Sequence, residues 1–130
     1  MMQRMIAMGS GGGGGTYFPF SITWTDINTA TDANPYVIQG DFSKCDTFMA
    51  VGYYYQGSTY VNYKGGECID FTFGTKYQVN MGTQSPSTSW RNITVYSDRI
   101  EIGQGGYATT NNSNYGILTD IIVYKDKQPT

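Results

Sequence analysis

Catalysis needs a group that moves protons or attacks an electrophile, and this 130-residue sequence offers few. It contains no histidine, which removes the commonest general base, the usual partner of a serine or cysteine nucleophile, and a frequent transition-metal ligand. Its two cysteines, Cys45 and Cys68, lack the paired spacing of a zinc site. Paired carboxylates remain, because two of them flanking a sugar linkage can hydrolyse it. The candidates are Glu67 with Asp70 and Asp98 with Glu101, each at a turn or on an exposed strand face, where carboxylates ordinarily serve solubility. Asp26, Asn28 and Asp32 put oxygen ligands on one loop, as calcium prefers. That loop lacks the acidic or amide residue and the glycine that an EF-hand carries at its fifth and sixth positions, so a side-chain-capped turn accounts for it better. Gly103-Gln-Gly-Gly leads into neither a Lys-Ser/Thr pair nor a helix, so it is not a phosphate cradle. Asn92-Ile-Thr94 and Asn111-Asn-Ser113 match the glycosylation triplet, which is frequent by chance. The expectation is a protein that is not an enzyme, with no catalytic residue, no metal and no cofactor.

Binding is the chemistry left. The chain has 12 tyrosines, and tyrosine rings stack on sugars and also populate protein interfaces. Tyr53, Tyr54 and Tyr55 are consecutive, so on a strand they cannot all face one core. Tyr54 and Tyr60 are candidates for a solvent-facing sheet surface, with Tyr63, Tyr107 and Tyr115 as companions. Burial of such a face against a second sheet or a sister subunit is favoured over sugar binding. Gly103–Asn114 reads as the longest loop, and on it Tyr107, Asn111, Asn112 and Asn114 combine a flat ring with amide donors and acceptors.

The elements that must position these residues read as strands. Phe48–Phe73 is the centre of the chain: an aromatic run to Tyr55, a turn at Gly57, a short strand around Tyr60–Tyr63, and a strand from Cys68 that turns Ile69, Phe71 and Phe73 to one face. Phe18, Phe20, Ile22 and Trp24 alternate in an earlier strand that Pro19 assigns to a sheet edge. Pro35–Gln39, Tyr77–Met81 and Trp90–Tyr96 follow, the last turning at Ser97-Asp98 into Arg99–Ile102; Gly82–Ser89 reads as a loop. Tyr115–Tyr124 is apolar on both faces and belongs in the middle of a sheet or between layers. Eight to ten short strands are the pattern of an all-β fold, an antiparallel β-sandwich or jelly roll.

One domain suits the length. Aromatic residues make up 15% of the chain and charged residues 14%, while Leu118 is the sole leucine, a β profile poor in helix formers. A net charge of −2, with eight basic residues spread along the chain, excludes the clustered footprint that nucleic acid needs. No apolar run reaches the about 20 residues of a membrane span. Met1–Met8 is too short for a secretory signal, which makes the cytoplasm the expected place of synthesis and favours two buried, reduced thiols over the Cys45–Cys68 pairing that export would allow.

The octet is a separate piece. Met1, Met5 and Met8 recur at helical spacing, widened by Met2 and Ile6, but two turns of helix are unstable alone in water. This anchor, helical or extended, is expected to order only on a partner. Residues 9–15 are a glycine-rich linker with a reach of about 15 Å, readable as a native hinge or as a cloned one. A β-domain then runs from 16 to 124, with a solvated tail at 125–130. The aromatic surplus predicts a homo-oligomer, a homotrimer in particular, with Tyr-rich strands at the contact.

The layout MIAMGSGGGGGT leading into a β-rich domain, with FSKCDTFMAVGYY before a polar hairpin and the return strand YGILTDIIVYK, resembles small tailed-phage virion structural proteins. These are tail-fibre, head-fibre and minor tail proteins. The resemblance covers most of the chain and is one of style rather than of a fixed motif. It implies a virion component made in the host cytoplasm, often a homotrimer, whose N-terminus fixes to a capsid or tail protein while the β-domain faces outward. Contact with a cell-surface glycan or protein follows as an expectation, and no functional residue is carried over. The alternative is a free carbohydrate-binding, lectin-like module.

Overall fold

In a computed structural model, the structure describes the backbone of residues 3–5 and the whole of residues 15–56 and 63–127. Alternation builds the sheets. In β2 (Tyr17–Ser21) Phe18 and Phe20 point inward and Pro19 outward; in β4 (Thr47–Tyr55) Phe48, Ala50, Gly52 and Tyr54 are buried. Around these two run α1 (Trp24–Ile27), β3 (Tyr36–Gln39), β5 (Lys64–Asp70), β6 (Lys76–Gln84), β7 (Ser87–Val95), β8 (Arg99–Tyr107), β9 (Thr110–Asn111) and β10 (Tyr115–Tyr124). A strand β1 (Gln3–Met5) precedes them all.

The strands form two sheets. One runs β1-β3-β8-β7-β6, with β9 pairing the second half of β8; the other runs β2-β10-β4-β5. All pairs are antiparallel except β1 with β3. The sheets face each other across Val79, Ile93, Ile100, Phe48, Leu118 and Ile121, which are fully buried. Phe42 closes one end, edge-on to Phe18 at 5.1 Å and to Phe20 at 6.0 Å. The fold is therefore the expected all-β sandwich. Pro19 lies on an edge strand, and β10 sits between β2 and β4, as its apolar character predicts. A bulge between Leu118 and Asp120 shifts the register so that Leu118 and Ile121, three residues apart, both face the core.

Several boundaries differ from the sequence reading. The strand expected through Trp24 stops at Ser21, and Trp24–Ile27 is a turn of helix. Gly82–Ser89 is not a loop but the end of a hairpin, with Gln84 paired to Ser87 around a cis Ser85–Pro86 bond. β5 ends at Asp70; Phe71 is buried, but Phe73 lies past the strand and is exposed. Cys68 is exposed rather than buried, its thiol 3.2 Å from the Tyr124 hydroxyl, because its strand parity points it away from the core; both cysteines are free. Within the octet, Gln3–Met5 is a strand and not a helical turn. Backbone pairing along an open sheet edge supplies hydrogen bonds that two isolated helical turns cannot secure. Met1, Met2, Ile6 and Met8 lie outside the described residues, as do 9–14 of the linker and 128–130 of the tail. Tail residues 125–127 are held by the fold: Lys125 N–H donates to Thr16 O, and the Asp126 and Lys127 amides donate to Asp46.

Candidate functional site

A single charge inside the core organises one end of the sandwich. β7 carries Arg91 at the inward parity shared with Ile93 and Val95, and Arg91 is fully buried. A buried guanidinium needs all its protons matched, since each unpaired one forfeits hydration with nothing in return. Arg91 meets that requirement with backbone carbonyls alone. Nε donates to Gly116 O, Nη1 to Gly103 O and Ile27 O, and Nη2 to Ser113 O and Tyr115 O, all between 2.9 and 3.2 Å. Burial pulls its pKa down to about 9, which leaves it charged at neutral pH. One glycine makes room for its side chain and another for the β7 backbone that carries it. A Cβ at Gly105 would lie 2.5 Å from Arg91 Cζ, and Gly116 adopts φ +63° with no space for a side chain beside Trp90 O.

That arginine fixes the turn Asn112–Tyr115, on which the candidate binding residues converge. Tyr115 N–H donates to Asn112 O, Asn114 N–H to Asn112 Oδ1, and Gln56 N–H to Asn114 O. The Ser113 hydroxyl donates to Ala30 O and accepts from Gly105 N–H. Tyr115 then anchors an aromatic ladder: Tyr107 lies 4.2 Å from it centroid to centroid, Tyr55 stacks on it at 4.5 Å, and Tyr54 meets it edge-on at 5.3 Å. Trp90 braces the adjoining β8–β9 hairpin by donating from Nε1 to Ala108 O, where Ala108 sits at φ +48°.

The stretch expected as a loop is thus mostly strand. Gly103–Tyr107 is the second half of β8, pairing β7 on one side and β9 on the other, and Asn111 lies in β9. Tyr107 is half-buried on this strand, Asn111 and Asn114 are exposed, and Asn112 is half-buried. Tyr54, expected on a solvent-facing surface, is 5% exposed: the parity of β4 buries it and leaves Tyr53 and Tyr55 half-exposed on the other face. Tyr60 lies outside the described residues. The structure brings Tyr107 and Tyr115 together with Tyr55, companions the sequence also suggests, and sets Asn112 and Asn114 on the turn that leads into Tyr115.

A second polar cluster sits on the outer face of the β3-β8-β7-β6 sheet. Asp32 accepts from Gln104 N–H, from Asn92 Nδ2 and from Lys76 Nζ at 2.9–3.2 Å, and it borders a recess of about 180 Å³ with Thr94, Tyr96 and Glu101. Arg99 lies across the Tyr96 ring at 3.8 Å and pairs with Asp98 and Glu101, so that carboxylate pair is occupied in ion pairs. Asp70 pairs with Lys127, and Glu67 accepts from Asn80 N–H. Asn92, in the first glycosylation triplet, is buried with its amide nitrogen spent on Asp32. Asp32 is therefore a tie between loop and sheet rather than a cap on its own turn. Among the described residues no three His, Cys, Asp or Glu side chains converge on a common point, and no helix is long and apolar enough to cross a membrane. Burial raises the Cys45 thiol to about 11, as an inert core thiol.

Sequence reasoning missed Arg91 and also the sheet ties of Asp32, which it reads only as one of the oxygen ligands on a side-chain-capped loop. For Arg91 the signal was present, since Arg91, Ile93 and Val95 share a parity in a predicted strand. For Asp32 there was none, because its partners lie 44, 60 and 72 residues away. Comparison of the chain with protein-family models, curated proteins and solved structures found no match.

Proposed function

We propose that this chain is a non-enzymatic accessory protein of a bacteriophage virion, a fibre, tail-tip or head decoration whose β-domain contacts the host surface. The virion assignment rests on the layout that resembles such proteins. The contact role rests on one observation: a tyrosine ladder beside an asparagine turn, mounted on a base that five bonds from Arg91 hold in place. Rigid flat rings beside amides suit a sugar or a polar receptor surface, since they pay little entropy on binding. Weak binding per copy is multiplied when many copies act together.

The test is binding of bead-coupled protein to arrayed lipopolysaccharides and envelope oligosaccharides. Tyr107→Ala should weaken it about fivefold per site, as the loss of one aromatic contact of roughly 1 kcal/mol implies. Asn114→Ala, at an exposed position, should weaken it with the melting temperature unchanged. Binding that survives both substitutions removes the contact role from this end of the sandwich. The ladder serves a free lectin-like module equally well, and immunogold labelling separates the two: the virion reading requires label on purified phage particles.

A further inference from the structure

A β-sandwich has lateral edges, and each exposed edge can pair with another chain unless it is guarded. Here three are. β2 carries Pro19 at its centre, which removes a ladder donor. β5 and β6 meet at one corner of the sandwich, where Glu67 of β5 accepts from the Asn80 N–H of β6. Apart from the two-residue β9, the remaining edge is that of β3, which reads Tyr-Val-Ile-Gln, with no charge and no proline to discourage pairing. Its neighbours are β8 on one side and β1 on the other. Only three residues of β1 cover it, in parallel register: Gln3 to Val37, Arg4 to Ile38 and Met5 to Gln39.

Met5 sits beside Gln39, and Gly40 packs against the Phe42 ring, which touches Phe18. Gly15 packs against that same Phe18, so the sequence leaves β1 and returns at one end of the sandwich. Between them lie nine residues, six of them glycine or serine. Such a tether does not distinguish the β3 of its own chain from the β3 of a neighbour, since the bonds formed are identical.

We infer that β1 is an exchangeable strand, and that the β3 edge is a docking site for the β1 of a second copy of this chain. Within one chain a tether of nine residues gives β1 an effective concentration on the order of millimolar, so dilute protein pairs with itself. Where copies are crowded to comparable concentration, or the tether is shortened, the strand passes to the neighbour. Each copy then offers one donor and one acceptor, so exchange closes as a reciprocal pair or a ring. This does not depend on attachment to a particle.

The test uses the full chain with Cys68→Ser as background. One preparation carries Met5→Cys, a second carries Gln39→Cys at the half-exposed end of β3, and a third carries both. A short bifunctional thiol reagent is added to the double variant and to an equimolar mixture of the single variants, alongside Met5→Cys mixed with Thr72→Cys as a collision control. The double variant should cross-link within one chain when dilute. The mixture should yield covalent dimers that increase with concentration, exceed the collision control severalfold, and increase again when Gly11–Gly14 is deleted from both partners. A mixture that never exceeds the control, while the double variant cross-links internally, fixes β1 to its own chain and overturns the inference. So does a double variant that fails to cross-link at all, because β1 would then not occupy β3.

Discussion

Arg91 and Asp32 grip the same peptide unit from opposite sides. Inside the sandwich, Arg91 Nη1 donates to Gly103 O; on the outer face, Asp32 Oδ1 accepts from Gln104 N–H. The unit lies where β8 changes partner from β3 to β9, so one bond of the chain is held by a buried cation and a surface anion together. Their surroundings differ completely. Among the described residues no carboxylate is ion-paired with Arg91, which is fully buried, whereas the Asp32 side chain is 40% exposed and pairs with an exposed lysine. A charge in the core must have every donor matched, and its removal strands five carbonyls at once. A charge at the rim shares its load with water, and removing it costs little.

The sharpest way to break that contrast is Arg91→Met. Losing the cation should cost about 3–5 kcal/mol and lower the melting temperature by on the order of 15 °C, measured by calorimetry. Arg91→Lys should recover only part of this, because an ammonium cannot span five fixed carbonyls. A loss below about 1 kcal/mol for Arg91→Met would reduce the two residues to equals.

Asp32→Asn should cost about 1 kcal/mol by urea denaturation, and added salt should shrink the gap to wild type, because the Lys76 pair is exposed. A salt-independent loss would place Asp32 with Arg91 as a structural charge.

The smallest effect separates them by pH. Burial pushes Asp32 up, but the Gln104 N–H, Lys76 and Asn92 outweigh it and hold the carboxyl below its usual value. Asp46 is lowered likewise, burial being outweighed by the Asp126 amide, the Thr47 hydroxyl and the Lys127 amide. Both therefore bind protons less readily folded than unfolded. The stability they confer is present above the ordinary carboxylate pKa of 3.8 and is lost as pH falls below it. Arg91 is shifted to about 9, so below that pH it is protonated folded and unfolded alike and adds no slope. Urea midpoints from these groups should be flat between pH 5 and 8 and fall below about pH 4, less steeply in Asp32→Asn. An equally steep acid limb in that variant would move the effect elsewhere.

What the sequence disclosed and what it hid divide along a physical line. Side-chain alternation was legible, so Phe18 with Phe20, Ile100 with Ile102 and the central β10 all went to their places. Strands defined by backbone contact were not. Gly103–Tyr107 looks like a loop because it has almost no side chains, yet each of its glycines has a neighbour pressed against it, Asp32 at Gly103, Arg91 at Gly105 and Trp90 at Gly106; a Cβ at Gly106 would lie 2.5 Å from Trp90 Cζ2. The octet shows a helical stripe, but pairing with β3 depends on an edge that sequence order does not reveal. In the candidate site, Tyr107 and the asparagines were visible by composition. The stacking of Tyr115 between Tyr107 and Tyr55 was not, because it needs the register of β10 with β4, where Tyr115 faces Tyr55.

The bond from Lys125 N–H to Thr16 O, 2.9 Å long, also decides how the domain responds to load. Tension applied between those two residues acts on the open end of the β2–β10 pair, where Tyr17 faces Tyr124, and parts it one rung at a time. Tension entering at Thr16 and leaving at the tyrosine ladder follows another path. Tyr115 lies at the far end of β10, roughly 30 Å away along the strand. The same five paired residues are then dragged lengthwise past each other, all bearing the strain at once. The domain is a zipper when pulled by its ends and a lap joint when pulled from end to ladder.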